Sequence, residues 1–239
     1  MRKLFTLLGL LFILPSAVKT QELKLEEVLS NYYKASAFDK FQKVITVVSA
    51  GTLVQQDRMP IKTIRLRPDK FLQVYDVADI TCYSAYDGTT AWMQVPYTGN
   101  PRPQPMTEDQ AKDVKVKADF DGLLYNWKDK VQMMELAGND TIDNALAYRI
   151  KVVRKDGGIE FYSIGKGSFL LLKRQYTRIV RGKEMKMEVF YRAYKNVEGI
   201  PFAFTVDNRL GGQDLNSVQL DSIILNGPVD KKVFAMPSR

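Results

Sequence analysis

The sequence predicts a mainly β protein of the α+β class, in which one large curved antiparallel sheet forms a half-open β-barrel covered by α-helical lid segments. The second half of the chain is a succession of strand-like runs separated by turn signals. Residues 61–96 also alternate between apolar runs and turn residues, as paired hairpins do. Helical spacing is confined to a few segments, of which 24–37 and 119–130 are the longest.

Residues 1–20 have the layout of a secretory signal peptide. Arg2 and Lys3 precede an apolar run at 4–14, which is too short for a comfortable membrane span, and small residues follow Pro15. We expect cleavage within 17–21 and a single exported domain at 21–239. Because no Cys lies near that point, we do not expect a lipid-anchored protein.

The first mature segment, 24–37, is predicted to be an amphipathic helix. Leu25, Val28, Leu29 and Tyr32 follow one helical face. The sheet is expected to begin at 41–48, where β-branched residues take over, and to continue through 52–56.

Two turn signals divide residues 61–96 into strands. Pro68 removes a ladder donor, so Arg67-Pro68 is expected at a bend. Asp87-Gly88 suits the positive φ of a tight hairpin. Cys82 lies in a strand-like run and is expected to be a small buried hydrophobe rather than a reactive thiol.

Residues 97–118 are predicted to form an exposed, partly extended loop followed by a short helix. Pro101, Pro103 and Pro105 argue against a regular ladder. Thr107 is suited to cap the helix.

Residues 119–130 are predicted to form a helix with one apolar stripe, made by Phe120, Leu123, Leu124 and Trp127. Two interpretations fit this pattern. The helix is either an ordinary surface helix packed on the sheet, which periodicity alone favours, or a lid over a cavity.

Seven strands are expected in the second half, at 131–136, 145–154, 159–164, 169–180, 185–194, 202–208 and 217–225. Met185, Met187, Val189 and Tyr191 alternate with polar residues, as on a sheet with one apolar face. The whole chain is expected to contain about ten strands.

Composition excludes several function classes. The chain has no His, which removes Ser-His triads and most zinc sites, and its lone Cys makes no intrachain disulfide. We predict no catalytic residue, no metal and no cofactor. A carboxylate hydrolase remains a rival, because the sequence does not show whether two acidic residues face each other across a cleft.

Charge gives a weaker indication. The net charge of +8 becomes +5 without residues 1–20, because Arg2, Lys3 and Lys19 leave with no acidic residue. A solvated mixed-charge surface is the simplest interpretation, and peripheral contact with anionic membranes is the alternative. Nucleic acid is not an expected partner, since no element clusters basic and aromatic residues.

Three motifs resemble those of the LolA/LolB-like periplasmic carriers that sort outer-membrane lipoproteins. Arg67-Pro68-Asp69-Lys70-Phe71 is similar to the family's Arg-Pro-x-x-Phe bend, and Tyr86 to Trp92 resembles its Asp-Gly-Lys-x-x-Trp hairpin. The stretches 194–201 and 226–237 resemble the C-terminal half of exported lipoprotein-sorting relatives. The proline-rich loop and the longer C-terminal half depart from the best-known carriers.

The resemblance implies a soluble, monomeric, non-enzymatic periplasmic carrier. It would bind the acyl chains of lipoproteins, or other lipids, and exchange them with a membrane-bound loading or receiving protein. In the family, the Arg of the Arg-Pro bend helps to hold the lid closed, which assigns this role to Arg67; an exposed strand-end cation is the alternative. A lipoprotein-sensing or envelope-stress module of the same fold is a second hypothesis. The expected lipid-binding residues are Ile64, Leu66, Phe71, Val74, Trp92, Phe120, Leu123, Leu124 and Trp127.

Overall fold

The computed structural model describes residues 23–180 and 182–237. The expected signal peptide at 1–20 lies outside these residues. The helices are α1 Leu25–Ala35, α2 Phe38–Phe41, α3 Glu108–Ala118 and α4 Trp127–Lys130. The strands are β1 Thr46–Val54, β2 Arg58–Leu66, β3 Lys70–Val77, β4 Ile80–Tyr86, β5 Ala91–Val95, β6 Asn100–Pro105, β7 Val131–Ile142, β8 Ala145–Arg154, β9 Ile159–Gly165, β10 Leu171–Val180, β11 Lys183–Val197, β12 Ile200–Leu210 and β13 Gln213–Leu225.

All thirteen strands of the described chain belong to one antiparallel sheet that does not close. The strand order is β6-β5-β4-β3-β2-β1-β13-β12-β11-β10-β9-β8-β7. Strands that are consecutive in the chain pair with each other, except β6 and β7, and the pairing of β1 with β13 joins the two halves. The predicted fold class, mainly β with an open curved sheet, is confirmed.

The connection between the two halves explains where the roof of the sheet comes from. β6 and β7 are the two edge strands, and residues 106–130 link them. This link must therefore cross one face of the sheet from edge to edge. We call the crossed face the inner face and the opposite one the outer face.

The inner face is covered by α1 at one side and by α3 at the other. Val28, Leu29 and Tyr32 of α1 pack against buried residues of β7, β8 and β9. Val114 and Ala118 of α3 pack against Phe71 of β3. None of the helices in the described chain is long and apolar enough to cross a membrane.

The outer face of the first strands is filled by the C-terminal segment. Phe234 is fully buried against Leu66, Leu72 and Trp92. The Trp92 indole Nε1–H donates to the Phe234 carbonyl oxygen at 2.7 Å. Cys82 is also fully buried, as its strand position predicts.

The prediction that the three prolines prevent regular strand pairing is wrong. Residues 100–105 form β6, which pairs with β5 through Trp92 and Pro105 and through Met93 and Gln104. Because β6 is an edge strand, the donors that proline lacks are not needed on its open side. The helix after it is confirmed: Thr107 and Gln110 form a capping box at the start of α3.

The predicted helix at 119–130 is wrong as well. Only the four residues of α4 are helical, and Gly122 and Asn126 have left-handed backbones with φ of 71° and 51°. Tertiary hydrogen bonds replace the helical ones here. For example, the Tyr33 hydroxyl donates to the Leu124 carbonyl oxygen at 2.6 Å. The residues of the expected apolar stripe therefore belong mostly to a folded turn segment, 119–126, rather than to one helix.

Candidate ligand-binding cavity

A cavity of about 800 Å³ lies between the inner face and its roof. This volume falls within the usual range of small-molecule sites. Its walls come from α1, α2, the end of α3, the turn segment 119–126, the end of α4, and strands β2, β3 and β8 to β12. The long crossing between the two edge strands thus encloses space instead of filling it.

Much of the wall is apolar. Three aromatic rings form a continuous part of it, since Phe41 lies 5.4 Å from Phe120 and 6.2 Å from Phe202 between ring centroids. The other apolar lining residues are Phe71, Val116, Leu123, Leu124, Leu170, Leu171, Ile200, Pro201, Ala203 and Val206.

A backbone irregularity in β11 lies between two tyrosines of the same wall. Ala193 has a left-handed backbone with φ of 51°, while the pairing of β11 with β12 keeps the same register on both sides of it, at Arg192 with Thr205 and at Tyr194 with Ala203. In a regular strand Tyr191 and Tyr194, three residues apart, would face opposite sides of the sheet. Both line the cavity, and the Tyr194 hydroxyl donates to the Leu171 carbonyl oxygen at 2.7 Å.

Arg65 projects from β2 into the cavity and holds the roof by its backbone. Its Nη2 donates to the carbonyl oxygens of Asp119 at 2.7 Å and Phe120 at 2.9 Å. Its guanidinium also lies 5.0 Å from the centre of the Phe120 ring, and its buried Nε has no partner among the described residues. Burial lowers the pKa of Arg65, although the nearby Asp119 and Asp121 charges oppose this.

Arg67 contacts the same segment by a different route. Its Nη1 forms a salt bridge of 2.6 Å with Asp121. Its Nε and Nη2 donate to the carbonyl oxygens of Val44 at 2.9 Å and Phe41 at 3.2 Å. The resemblance implies that Arg67 helps to hold the lid by hydrogen bonds; in the structure Arg67 binds the Asp121 side chain of the turn segment, and Arg65 binds its backbone carbonyls. A latching role for either residue stays a prediction.

A buried ionic network lies on β9 and β10 beside the cavity. Glu160 accepts two hydrogen bonds from Arg174, at 2.7 and 3.0 Å, and one from the Tyr162 hydroxyl at 2.7 Å. Burial acts to raise the pKa of Glu160, but the charge and hydrogen bonds of Arg174, with the Tyr162 bond, hold it below its usual value. Glu160 is therefore a carboxylate at neutral pH, and both of its oxygens accept hydrogen bonds.

The structure places four of the expected lipid-binding residues on the cavity wall, namely Phe71, Phe120, Leu123 and Leu124. Trp127 packs instead against the cluster beneath α1. Ile64, Leu66, Val74 and Trp92 lie on the outer face, in the cluster around Phe234. The physical reason is strand alternation: Arg65 faces the cavity, so its neighbours Ile64 and Leu66 face away from it.

Sequence reasoning missed the polar wall residues Arg65, Lys117, Arg174 and Tyr191. For Arg65 a signal existed, because it stands between two apolar residues on a predicted strand. An arginine in that pattern ordinarily marks the solvent-facing side, and only the roof makes this side an interior.

No protein-family model matches the sequence, and no curated protein matches it. Solved structures match it in fold. A DUF1329 family protein from Desulfovibrio piger has a TM-score of 0.60 at 12% identity, over 87% of this chain and 97% of its own. A domain named as an outer membrane lipoprotein-sorting protein from Vibrio parahaemolyticus has a TM-score of 0.58 at 10% identity, over 87% and 96%. A LolA superfamily protein from Nitrosomonas europaea has a TM-score of 0.59 at 14% identity, over 90% and 98%. The chain thus has the LolA-like fold that its motifs resemble.

Proposed function

We propose that this protein is a non-enzymatic carrier that binds the acyl chains of lipoproteins or other lipids in its inner cavity. The observation that carries the proposal is the space of about 800 Å³ left between a folded sheet and its roof. Each methylene group that leaves water for such a site contributes roughly 0.8 kcal/mol. A tail therefore binds with no catalytic group and with little selectivity for its identity.

The roof supplies a route for entry. Segment 119–121 is held by hydrogen bonds from Arg65 and Arg67 as well as by the packing of Phe120. A guanidinium has several donors and exchanges carbonyl partners readily. Movement of this segment would open the cavity without breaking the sheet.

Transport, location and partners belong to the same proposal. The chain begins with a sequence of signal-peptide type, and one structural neighbour is named for outer membrane lipoprotein sorting. We place the carrier in the periplasm, where it would exchange cargo with a membrane-bound loading or receiving protein.

Uptake of a neutral fluorescent probe, N-phenylnaphthylamine, tests the proposal. The wild-type protein should bind the probe with enhanced fluorescence, and a fatty ligand should displace it. Val206→Trp should reduce binding at least about tenfold, because the indole would occupy the space that the probe needs.

Leu146→Trp is the matched control, because this exposed residue of β8 is not on the cavity wall. Ala203→Phe provides a second filling substitution if Val206→Trp folds poorly. Failure of the wild-type protein to bind the probe, or equal binding by both filled variants, would refute the proposal.

A further inference from the structure

The cavity wall carries an excess of positive charge. Seven basic side chains line it against three acidic ones: Arg65, Lys115, Lys117, Lys130, Arg154, Lys155 and Arg174 against Asp119, Asp121 and Asp156. Lys115, Lys117 and Lys155 are exposed, whereas Arg65 and Arg174 are half-buried. Burying charge is costly, so a cavity that served only hydrocarbon would have no use for the half-buried cations.

Each acidic residue already has its own cation. Asp119 pairs with Lys130 at 2.7 Å, Asp121 with Arg67 at 2.6 Å, and Asp156 with Arg154. Arg174 is paired with Glu160, which lies behind the wall. The remaining four basic residues of the wall, Arg65, Lys115, Lys117 and Lys155, form no ion pair with any described residue.

Lys117 is the most informative of the four. It lies in the last turn of α3, is exposed and lines the cavity, and its ammonium group lies 5.9 Å from the centre of the Phe71 ring. Surrounding protein lowers the pKa of Lys117, and the charges of Arg178 and Arg174 add to this while Asp113 opposes it. Asp113 is itself paired with Arg178 at 2.8 Å, as Arg174 is with Glu160, so Lys117 has no counter-ion of its own within ion-pair distance.

Basic residues are common in the last turn of a helix, where they interact favourably with the helix dipole. That accounts for Lys115, which lies 5.8 Å from the Tyr86 ring. It does not account for Lys117, which lies close enough to Arg174 and Arg178 for their charges to act on it. Lys112 of the same helix shows the ordinary arrangement, an exposed ion pair with Asp109 at 3.1 Å.

Tyr191 adds a neutral donor to this region. Tyr191 lines the cavity, and its hydroxyl makes no hydrogen bond with the described residues. Burial raises the pKa of Tyr191, so it keeps its proton, and the charges of Arg174, Glu160 and Arg65 all act on it. Tyr191 therefore lies in the same neighbourhood as two of the cavity's arginines.

We infer that the cavity accepts a lipid with an anionic headgroup, a carboxylate or a phosphate, which Lys117 and Tyr191 bind within the positive field of Arg65 and Arg174. The aromatic wall of Phe41, Phe120 and Phe202 receives the tail. This inference rests on the proposed function and specifies the class of lipid.

Displacement of N-phenylnaphthylamine by three ligands with the same tail tests the inference. Decyl phosphate should compete at about tenfold lower concentration than decanol, because a charge-assisted hydrogen bond adds about 1.5–3 kcal/mol, which is tenfold or more in affinity. Decyltrimethylammonium should compete more weakly than decanol. Inorganic phosphate alone should not compete.

Two variants locate the headgroup. Lys117→Gln should bring decyl phosphate to within about threefold of decanol while decanol itself is unaffected, since one charged partner is lost. Tyr191→Phe should reduce the preference by a smaller factor. Lys112→Gln, on the outside of the same helix, should leave all three affinities unchanged.

The outcomes separate the two proposals. Equal competition by decyl phosphate and decanol would overturn the headgroup site while leaving a lipid cavity. A Lys117→Gln variant that weakens every ligand alike would show a structural lysine and overturn it too. Competition by inorganic phosphate as strong as that of decyl phosphate would indicate a free-anion site instead. Absence of probe binding would remove both proposals.

Discussion

The two faces of strands β2 to β5 are built from alternating residues of the same segments, yet they differ in what they hold. On the outer face, Leu66 and Trp92 pack around the fully buried Phe234 of the C-terminal segment. On the inner face, Arg65, the immediate neighbour of Leu66, reaches a cavity of about 800 Å³.

This difference separates stability from binding within one sheet. Close packing on the outer face stabilises the fold, and so the inner face can keep open volume and unpaired charge. Substitutions on the outer face should therefore change the free energy of unfolding and leave ligand affinity alone. Those on the wall should do the reverse.

Phe234→Ala should have the largest effect. Removing a fully buried ring leaves a cavity beside Trp92, which costs about 3–5 kcal/mol of unfolding free energy. Denaturant unfolding measures this loss, and probe affinity under native conditions should match the wild type.

Met236→Ala is the control, because its side chain is 37% exposed two residues further along and should change stability by less than about 0.5 kcal/mol. A loss of probe affinity in folded Phe234→Ala protein would contradict the separation of the two faces.

The ionic network of Glu160 is an exception to that separation, because it lies beside the cavity and yet stabilises the fold. Glu160→Gln tests this exception. The carboxylate is 1% exposed and holds Arg174 by two hydrogen bonds. Removing its charge leaves a buried guanidinium without a counter-ion and should cost about 3 kcal/mol.

The pH dependence of the unfolding free energy tests the contribution of the same network independently. The pKa of Glu160 is lowered in the folded protein, so the unfolded chain takes up a proton first as the pH falls. Its contribution is therefore present above the unfolded pKa of about 4.3 and is lost as the pH falls further. Unfolding free energies should decline less steeply below that pH in Glu160→Gln than in the wild type; equal slopes would show that Glu160 is not responsible.

The sheet was predictable because its signals are local. Turns such as Asp156-Gly157-Gly158 and the runs between them identify the seven later strands, with ends displaced by up to six residues. The fold class followed from these strands, and the motifs at 67–71 and 86–92 pointed to the LolA-like arrangement.

The site was less predictable because it depends on tertiary structure. Which face of β2 is inner depends on where residues 106–130 cross the sheet, and no local pattern specifies that crossing. The left-handed backbone of Ala193, between Tyr191 and Tyr194, likewise has no glycine in the sequence to indicate it. The stripe at Phe120 to Trp127 had true helical spacing, yet hydrogen bonds from Arg65 and Tyr33 hold most of that segment as turns.

The smallest expected effect on stability concerns a salt bridge that joins the roof to the far half of the sheet. Asp113 of α3 accepts from Arg178 of β10 at 2.8 Å, and the two side chains are 25% and 42% exposed. A partly exposed pair of this kind contributes at most about 1 kcal/mol to stability. This ion pair, however, links α3, which packs on β3, to β10 in the other half of the sheet. Asp113→Asn and Arg178→Gln should therefore accelerate probe uptake by a few fold, measured by stopped-flow fluorescence, while unfolding free energy changes by less than about 1 kcal/mol.

The exchanged pair Asp113→Arg with Arg178→Asp should restore slow uptake, whereas Lys112→Gln, which breaks the exposed pair with Asp109 on the same helix, should not alter it. High salt should bring the wild-type rate toward that of the single variants, because screening weakens exposed ion pairs. Uptake rates that are identical in all these proteins would mean that α3 stays in place during entry. The opening would then lie at segment 119–121, where Arg65 and Arg67 hold the roof.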